Sequence, residues 1–334
     1  MKIVVIGAGV VGATSALVLA ERGADVTLID AAPEPGLGTS FANGSGITPG
    51  HAEPWNPPGT AQRLLGAVLH RNLPYQVRLR ALPGLLRWGT AFLRESAPGR
   101  YYANASHCIR LAVHSRRCLA DLRERHELSY DQVVEGSLEL YRSPGDLNDA
   151  IELRRRIGNA DVEFDTLDPD ALVRLEPALA PAAHQFHAGL RFPAHESGDA
   201  RSFSREAARR AGELGAALRL GHRVTGLELV DGRLKGIETD HGTIDADRVI
   251  LCTGTDTGSL LDPLGLRVPI YPVQGYSMTI AVDGDGPAPR LPILDLERRF
   301  VTARLGPNRL RIAGLSDFTG GDTTLHPERL AVLK

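Results

Sequence analysis

The stretch KIVVIGAGVVG, from Lys2 to Gly12, decides the fold of this chain. Its apolar first half, Lys2–Ile6, predicts a buried parallel strand, and its glycines lead into an Ala- and Leu-rich helix that ends near Gly23. The segment Asp25–Asp30 predicts a second strand that ends in an acid. A strand, a glycine turn, a helix and a second strand in this order are typical of a dinucleotide-binding unit.

A different steric requirement explains each glycine of this turn. Gly7 permits the tight turn, Gly9 lets the backbone approach a pyrophosphate, and Gly12 lets helix and strand pack closely. The phosphates would lie at the helix N-terminus, and the Asp30 carboxylate would accept hydrogen bonds from a ribose. The alternative is a glycine-rich loop in an α/β unit that binds no nucleotide. The residues predicted to contact the cofactor here are Val5, Ile6, Gly7, Ala8, Gly9, Val10, Val11, Gly12 and Asp30.

The rest of the chain favours FAD over NAD. An NAD domain would continue with further strand and helix units at short intervals, but residues 31–58 are rich in Pro, Gly, Ser and Asn. The next nucleotide-fold signals are a helix over 204–214, a hairpin around Asp231-Gly232, and a strand over 248–251. A nucleotide domain with a long insertion is the layout of glutathione-reductase-like flavoproteins.

Composition excludes several other classes of protein. The 334 residues are 43% apolar and 23% charged, as expected for an ordinary globular protein of about two domains. Lys and Arg number 38 against 40 Asp and Glu, so no global field points to a nucleic-acid partner. Three scattered cysteines predict neither a disulfide framework nor a zinc site, which indicates a reducing, cytoplasmic location.

Five further blocks resemble one protein family. They are Thr39–Gly50 (TSFANGSGITPG), Pro54-Trp55, Gly136–Leu138, Glu196–Asp199 and Tyr271–Ser277. Together with the opening glycines they resemble the small subunits of bacterial D-amino-acid dehydrogenases, FAD-dependent members of the D-amino-acid oxidase-like superfamily. The resemblance spans essentially the whole chain.

The resemblance implies a reaction and leaves two alternatives open. The implied reaction is oxidative deamination of a small D-amino acid such as D-alanine to a 2-oxo acid and ammonia, with electrons passed to a respiratory acceptor. One alternative is a glycine- or sarcosine-type oxidase that uses oxygen, and the other is a truncated flavoprotein without catalysis. Family members continue with a C-terminal block whose arginine clamps the substrate carboxylate, so we expect this 334-residue chain to turn over D-alanine poorly.

The resemblance also assigns residues to the flavin. Thr39, Ser40, Asn43 and Ile47 would lie along the ribityl chain and flavin ring, Val224 would meet the adenine, and Thr253 and Gly254 would face the pyrophosphate. A turn-rich connection without function is the alternative for Thr39–Gly50, although long irregular segments in compact domains are usually functional.

Three side chains are predicted to act in catalysis. Tyr276 and Arg304 are candidates for contact with the substrate, and His51 follows the flavin-facing loop. The competing interpretations are a surface arginine at a strand end and a hydrogen-bonded loop histidine. His184, His187 and His195 lie near one another in sequence but lack a metal-binding context, so no metal is predicted.

The predicted fold is α/β, with a Rossmann-like FAD-binding domain and an inserted α+β substrate domain that contains an antiparallel sheet. The FAD-binding domain comprises residues 1–50 and 195–267, and the substrate domain comprises 51–194 and 268–334. Strands of the substrate domain are predicted at 137–142, 276–282, 300–304 and 309–313.

A basic, acid-free segment lies between Glu53 and Glu95. Arginines beside Trp, Phe and Leu suit an anionic lipid surface, which would place the chain peripherally on the cytoplasmic face of the inner membrane, near a quinone acceptor. An ordinary amphipathic cover is the alternative. The predicted contact region is 55–94, and its arginines are Arg63, Arg71, Arg78, Arg80, Arg87 and Arg94.

Overall fold

The computed structural model describes residues 1–62, 64, 75–78, 81–158, 162–284 and 286–333. It divides into two compact units, each assembled from separate segments of the chain. Unit 1 comprises Met1–Asn43, Leu122–Tyr130 and Asp199–Ile270, and unit 2 comprises Gly44–Asp121, Asp131–Gly198 and Tyr271–Lys334.

The regular elements follow in chain order. Strands of the described residues are β1 (Lys2–Ile6), β2 (Asp25–Asp30), β3 (Gly46–Ile47), β4 (Tyr75–Val77), β5 (Ser137–Tyr141), β6 (Asp165–Leu167), β7 (Ala188–Phe192), β8 (Glu196–Ser197), β9 (Ala217–Leu220), β10 (Val224–Val230), β11 (Arg233–Thr239), β12 (Gly242–Asp245), β13 (Arg248–Leu251), β14 (Gln274–Ala281), β15 (Ile293–Asp295), β16 (Phe300–Leu305) and β17 (Arg309–Phe318). Helices are α1 (Val10–Glu21), α2 (Leu82–Arg94), α3 (Pro98–His126), α4 (Pro144–Ile157), α5 (Pro169–Leu175), α6 (Ala200–Glu213), α7 (Thr257–Leu261) and α8 (Pro327–Ala331). Short 3-10 turns lie at Thr39–Phe41, Pro49–His51, Pro177–Gln185, Gly254–Asp256 and Asp262–Leu264.

Unit 1 contains a parallel sheet and a smaller antiparallel sheet. The parallel sheet has the order β13-β1-β2-β9, and β10, β11 and β12 form the antiparallel sheet. Apolar side chains of β1, β2 and β11 meet in one core, which includes Val4, Ile29 and Ile237. The predicted dinucleotide-type α/β fold is confirmed, with β1 at the inside of the parallel sheet because its side chains are apolar on both faces.

Unit 2 is built around a long mixed sheet. Its order is β14-β17-β16-β15-β5-β7-β6, with antiparallel pairs throughout except for the parallel pair of β15 and β5. Strand β4 joins the edge of β17 in parallel. The predicted antiparallel sheet is therefore present, and β17 extends five residues beyond its predicted end at Ala313.

The predicted membrane-contact region is described only in part. Residues 63, 65–74 and 79–80, which include Arg63, Arg71 and Arg80, lie outside the described residues. The described part contains α2, an amphipathic helix with no fully buried residue. Within the described residues we find no helix whose length and apolar character would let it cross a bilayer.

Candidate functional site: a nucleotide cradle in unit 1 and a braced loop in unit 2

The three glycines of the opening turn meet different surroundings. A Cβ on Gly12 would lie 1.7 Å from the Gly7 carbonyl oxygen, and one on Gly7, whose φ is +102°, would lie 2.4 Å from the Cys252 oxygen. A Cβ on Gly9 would meet only Ser40 Oγ, at 3.3 Å. Gly7 and Gly12 are thus required by the protein's own packing, whereas Gly9 leaves room for a ligand over the turn.

Asp30 is fixed where β2 ends. Its Oδ2 accepts a hydrogen bond from the Ala8 N–H at 2.6 Å, and its Oδ1 accepts one from the Ala32 N–H at 2.7 Å. The N–H of His222 donates to the Asp30 carbonyl at 2.9 Å, two residues before β10 begins at Val224. The structure therefore brings the predicted adenine contact to the same strand end as the predicted ribose contact.

Ser40 lies at the N-terminus of α1. The N-cap residue Gly9 has no side chain to cap the helix, and Ser40 Oγ accepts the Val10 N–H at 3.0 Å instead. Ser40 belongs to the 3-10 turn Thr39–Phe41 and is buried, whereas Thr39 is exposed and Asn43 is half-buried. This turn thus lies beside the helix end that would hold the phosphates.

Thr253 and Gly254 follow β13, the strand next to β1. The Cys252 N–H donates to the Ile6 carbonyl at 2.7 Å, which continues the β1–β13 pairing up to the glycine turn. In parallel α/β sheets, ligands bind beyond the carboxyl ends of the strands. The predicted contacts Gly7–Gly12, Asp30 and Thr253-Gly254 all lie at that end of this sheet. The uncapped helix, the open space over Gly9 and the fixed carboxylate fit the pyrophosphate and ribose of FAD.

Comparison with known proteins supports this assignment. The family model for DAO, described as FAD dependent oxidoreductase, matches residues 2–334. The chain belongs to this DAO family. FAD is accordingly the cofactor of this chain.

Similar proteins cover the whole chain. A D-amino acid dehydrogenase of Cereibacter sphaeroides is 39% identical over 336 residues, which cover 100% of this chain and 76% of that protein. A D-amino acid dehydrogenase of Allorhizobium ampelinum is 35% identical over 334 residues, covering 100% of this chain and 79% of that protein. The glycine oxidase structure from Geobacillus kaustophilus is 19% identical with a TM-score of 0.71, covers 99% of this chain and 76% of that chain, and so supports the DAO fold.

In unit 2, the second half of the Thr39–Gly50 loop is held at several points. Ser45, whose φ is +59°, accepts the Gly198 N–H on its carbonyl at 2.9 Å, and its hydroxyl accepts from Arg311 at 3.3 Å. Ile47 pairs with Glu196 in the short β3–β8 ladder. The loop is therefore an ordered feature of this DAO-family chain and not a loose connection.

The three predicted catalytic side chains lie apart on the sheet of unit 2. Tyr276 is on β14, whereas His51 Nε2 lies 3.3 Å from Glu139 Oε1 on β5, four strands away. At about 4.8 Å per strand this separation is roughly 19 Å. Arg304 pairs with Leu310, four residues along β17 from Gly314, the partner of Tyr276. The structure does not bring the three together.

The surroundings of Arg304 and Tyr276 differ from those expected of exposed substrate contacts. Arg304 is buried, and its two terminal nitrogens donate to backbone carbonyls of Asp283, Gly284, Ala288 and Pro307. Tyr276 is buried near Asp317. Burial is the main cause that raises the pKa of its hydroxyl, and the negative charge of Asp317 raises it further. Substrate contact by these residues stays a prediction, and both terminal nitrogens of Arg304 are already hydrogen-bonded within the protein.

Sequence reasoning missed the buried polar residues behind the loop. Glu139 is fully buried, and both of its carboxylate oxygens accept hydrogen bonds from Arg154 Nη2, at 3.0 and 2.8 Å. His195 is also buried, whereas its sequence context indicates neither a metal ligand nor any other role. Within the described ranges, no group of three or more His, Cys, Asp or Glu side chains is arranged to hold a metal.

Proposed function

We propose that the chain is an FAD-dependent D-amino-acid dehydrogenase that oxidises a small neutral D-amino acid. The observation that carries the proposal is a dinucleotide cradle in unit 1 combined with 35–39% identity, over the full chain, to proteins named D-amino acid dehydrogenase. The product would be an imino acid, which water hydrolyses to the 2-oxo acid and ammonia.

The proposed contacts with FAD can be named residue by residue. FAD, when bound, supplies a two-electron acceptor for the hydride that leaves the substrate α-carbon. The Gly7–Gly12 turn holds the pyrophosphate against the α1 N-terminus, and Asp30 holds the ribose. Thr39, Ser40, Asn43, Ile47, Val224, Thr253 and Gly254 are proposed as further cofactor contacts.

The substrate amine must lose a proton before hydride transfer, and His51 is the proposed acceptor. Its Nε2 faces the buried Glu139, and its Nδ1 is 4.0 Å from Glu53 Oε1. Carboxylates on both sides orient the imidazole and stabilise the positive charge that proton transfer creates. Tyr276 and Arg304 lie on the β14–β17 side of the sheet, too far from His51 to contact the same small substrate, so they are proposed as the alternative substrate contacts and not as partners of His51.

The electron acceptor is proposed to be a membrane quinone. The support is the basic segment 55–94, whose described helix α2 leaves Leu86 69% exposed beside Arg87. Basic and apolar side chains together favour anionic lipid surfaces. Co-sedimentation should show binding to phosphatidylglycerol vesicles that weakens with salt, and equal binding to phosphatidylcholine vesicles would remove the membrane hypothesis.

One assay separates the dehydrogenase from the oxidase alternative. Purified protein is given D-alanine, with L-alanine, glycine and sarcosine as controls, and turnover is followed with a soluble quinone analogue or with oxygen alone. Whatever the absolute rate, we expect D-alanine to be oxidised at least tenfold faster with the quinone than with oxygen alone, and faster than the three controls. Faster hydrogen peroxide production from glycine or sarcosine would favour the amine oxidase instead.

A further inference from the structure

The segment Gly50–His51 is held from behind by two buried side chains of unit 2. The Gly50 N–H donates to His195 Nε2 at 3.0 Å, and His51 Nε2 lies 3.3 Å from Glu139 Oε1. His195 is 1% exposed and Glu139 is 0% exposed. The two contacts fall at the end of the Thr39–Gly50 loop and on the residue that follows it, shortly after Ile47, the last predicted flavin contact of that loop.

The hydrogen bonds of His195 fix its tautomer. Because Nε2 accepts from a backbone N–H, the ring proton resides on Nδ1, which donates to Ser137 Oγ at 2.8 Å. The ring also stacks on Phe192, with centroids 4.5 Å apart and planes 5° from parallel. Burial, reinforced by the nearby His51, Arg154 and Arg116, lowers the pKa of His195 to about 2. The imidazole is thus a fixed, neutral acceptor.

The space beside Gly50 is closed by the same residue. A Cβ on Gly50 would lie 2.8 Å from His195 Nε2 and 2.9 Å from Val162 Cγ1. His195 and Val162 therefore leave no room for a side chain at position 50.

Glu139 holds the neighbouring side chain. Its carboxylate is buried between Arg154, at 2.8 Å, and the His51 imidazole, and Arg154 compensates its charge. A buried carboxylate with a fixed arginine partner can orient a histidine without exchanging position with solvent. The backbone of Gly50 and the ring of His51 are thus held by separate residues, His195 between β7 and β8 and Glu139 in the middle of β5.

We propose that His195 and Glu139 are positioning residues for the flavin-facing loop, and that the His195–Gly50 hydrogen bond sets how tightly the loop holds FAD. This proposal rests on the role proposed above for Ile47 and the Thr39–Gly50 loop. It assigns His195 to no metal and to no contact with substrate.

A matched pair of substitutions tests it. Gln places an amide oxygen near the position of His Nε2, whereas Asn reaches only the position of Nδ1. His195→Gln should therefore keep the acceptor for Gly50, and His195→Asn should lose it while keeping a partner for Ser137. His187→Asn is the control, because His187 is an exposed histidine of the same unit.

The readouts are the FAD dissociation constant of the apoprotein and the midpoint potential and visible spectrum of the bound flavin. We expect His195→Asn to weaken FAD binding about tenfold and to shift the flavin band, and His195→Gln and His187→Asn to stay within threefold of wild type. Equal losses in Asn and Gln, or FAD affinity unchanged in both, would overturn the proposal. If His195→Asn does not fold, Ser137→Ala, which frees the Nδ1–H, should weaken FAD binding about threefold, and unchanged binding would overturn it.

These measurements need no amino-acid substrate. A wild-type protein that binds FAD but oxidises no D-amino acid would contradict the proposed activity and leave the positioning test readable. Conversely, normal D-alanine turnover with unchanged FAD binding in His195→Asn would contradict only the positioning role.

Discussion

The Gly7–Gly12 turn of unit 1 and the Gly50–His51 turn of unit 2 are built in different ways. In the first, backbone atoms meet backbone atoms, since the missing Cβ atoms of Gly7 and Gly12 let helix, strand and the Cys252 carbonyl approach. In the second, the backbone is held by His195, a side chain 145 residues away in sequence. The first turn therefore requires that no side chain be present at its glycines, whereas the second requires a hydrogen-bond acceptor on a particular side chain.

The largest expected effect is that of adding one carbon to the first turn. Gly12→Ala would place its Cβ 1.7 Å from the Gly7 oxygen, inside a turn that has no flexible atom to move. We expect the protein not to fold, as judged by circular dichroism and yield. Gly99→Ala is the control, because its Cβ meets nothing within 4 Å in α3. A Gly12→Ala protein that melts within a few degrees of wild type would show that the turn can relax.

A buried ion pair of unit 2 should give the next largest effect. Arg329 of α8 donates to Asp317 of β17 at 3.0 and 2.6 Å, and their side chains are 4% and 0% exposed. Arg329→Ala leaves a buried carboxylate without this partner, which costs about 3–5 kcal/mol of unfolding free energy. Denaturant unfolding measures the loss.

Two comparisons check that result. Arg155→Ala removes an exposed ion pair with Glu152 and should change nothing measurable. The double variant Arg329→Met with Asp317→Leu should recover most of the stability, since neither charge remains buried. A single variant as stable as wild type would mean that Asp317 is readily solvated.

The two turns also differ in how far the sequence predicts them. The cradle follows from residues 2–30 alone, because strand, glycines, helix and acid are consecutive and each has a local reason. The support behind Gly50 depends on the pairing of β5 with β7, which places Ser137 opposite Phe192 and so beside His195. No local sequence pattern predicts which residues of β5 and β7 pair.

Strand β5 shows why Glu139 was missed. Its sequence Ser-Leu-Glu-Leu-Tyr alternates polar and apolar residues, which is typical of a strand with one solvent-facing side. All five residues are buried, because α4 covers the polar face and brings Arg154 to Glu139. For the same reason the sequence could not show that Tyr276, Arg304 and His51 lie apart: it predicts separate strands for Tyr276 and Arg304 but not the order of those strands in the sheet or the place of His51 beside β5.

Gly9→Val tests whether Gly9 is needed for binding FAD but not for folding. The added Cβ meets only Ser40 Oγ, at 3.3 Å, and the valine side chain is directed at the place proposed for the pyrophosphate. We expect a folded apoprotein with a melting temperature close to that of wild type and FAD affinity lowered at least hundredfold, about 2.8 kcal/mol. Fluorescence titration with FAD measures it. Unchanged flavin occupancy would place the pyrophosphate elsewhere.

The smallest expected effect concerns the pH dependence of the second turn. Burial lowers the pKa of His195 to about 2 in the folded protein, against 6.5 for a solvated histidine in the unfolded chain. Between these values the unfolded state binds one more proton, so stability rises with pH, and this contribution is fully present above about pH 6.5 and lost as pH falls. His195→Gln removes the titrating group.

Between pH 7 and pH 5, wild type should therefore lose about 2 kcal/mol more unfolding free energy than His195→Gln. His187→Gln replaces an exposed histidine of the same unit and is the control, for which no such shift is expected. Urea unfolding at both pH values measures it. A constant difference between wild type and His195→Gln would mean that His195 takes up a proton in the folded protein. The Gly50 N–H would then have lost its acceptor, since a protonated ring can only donate.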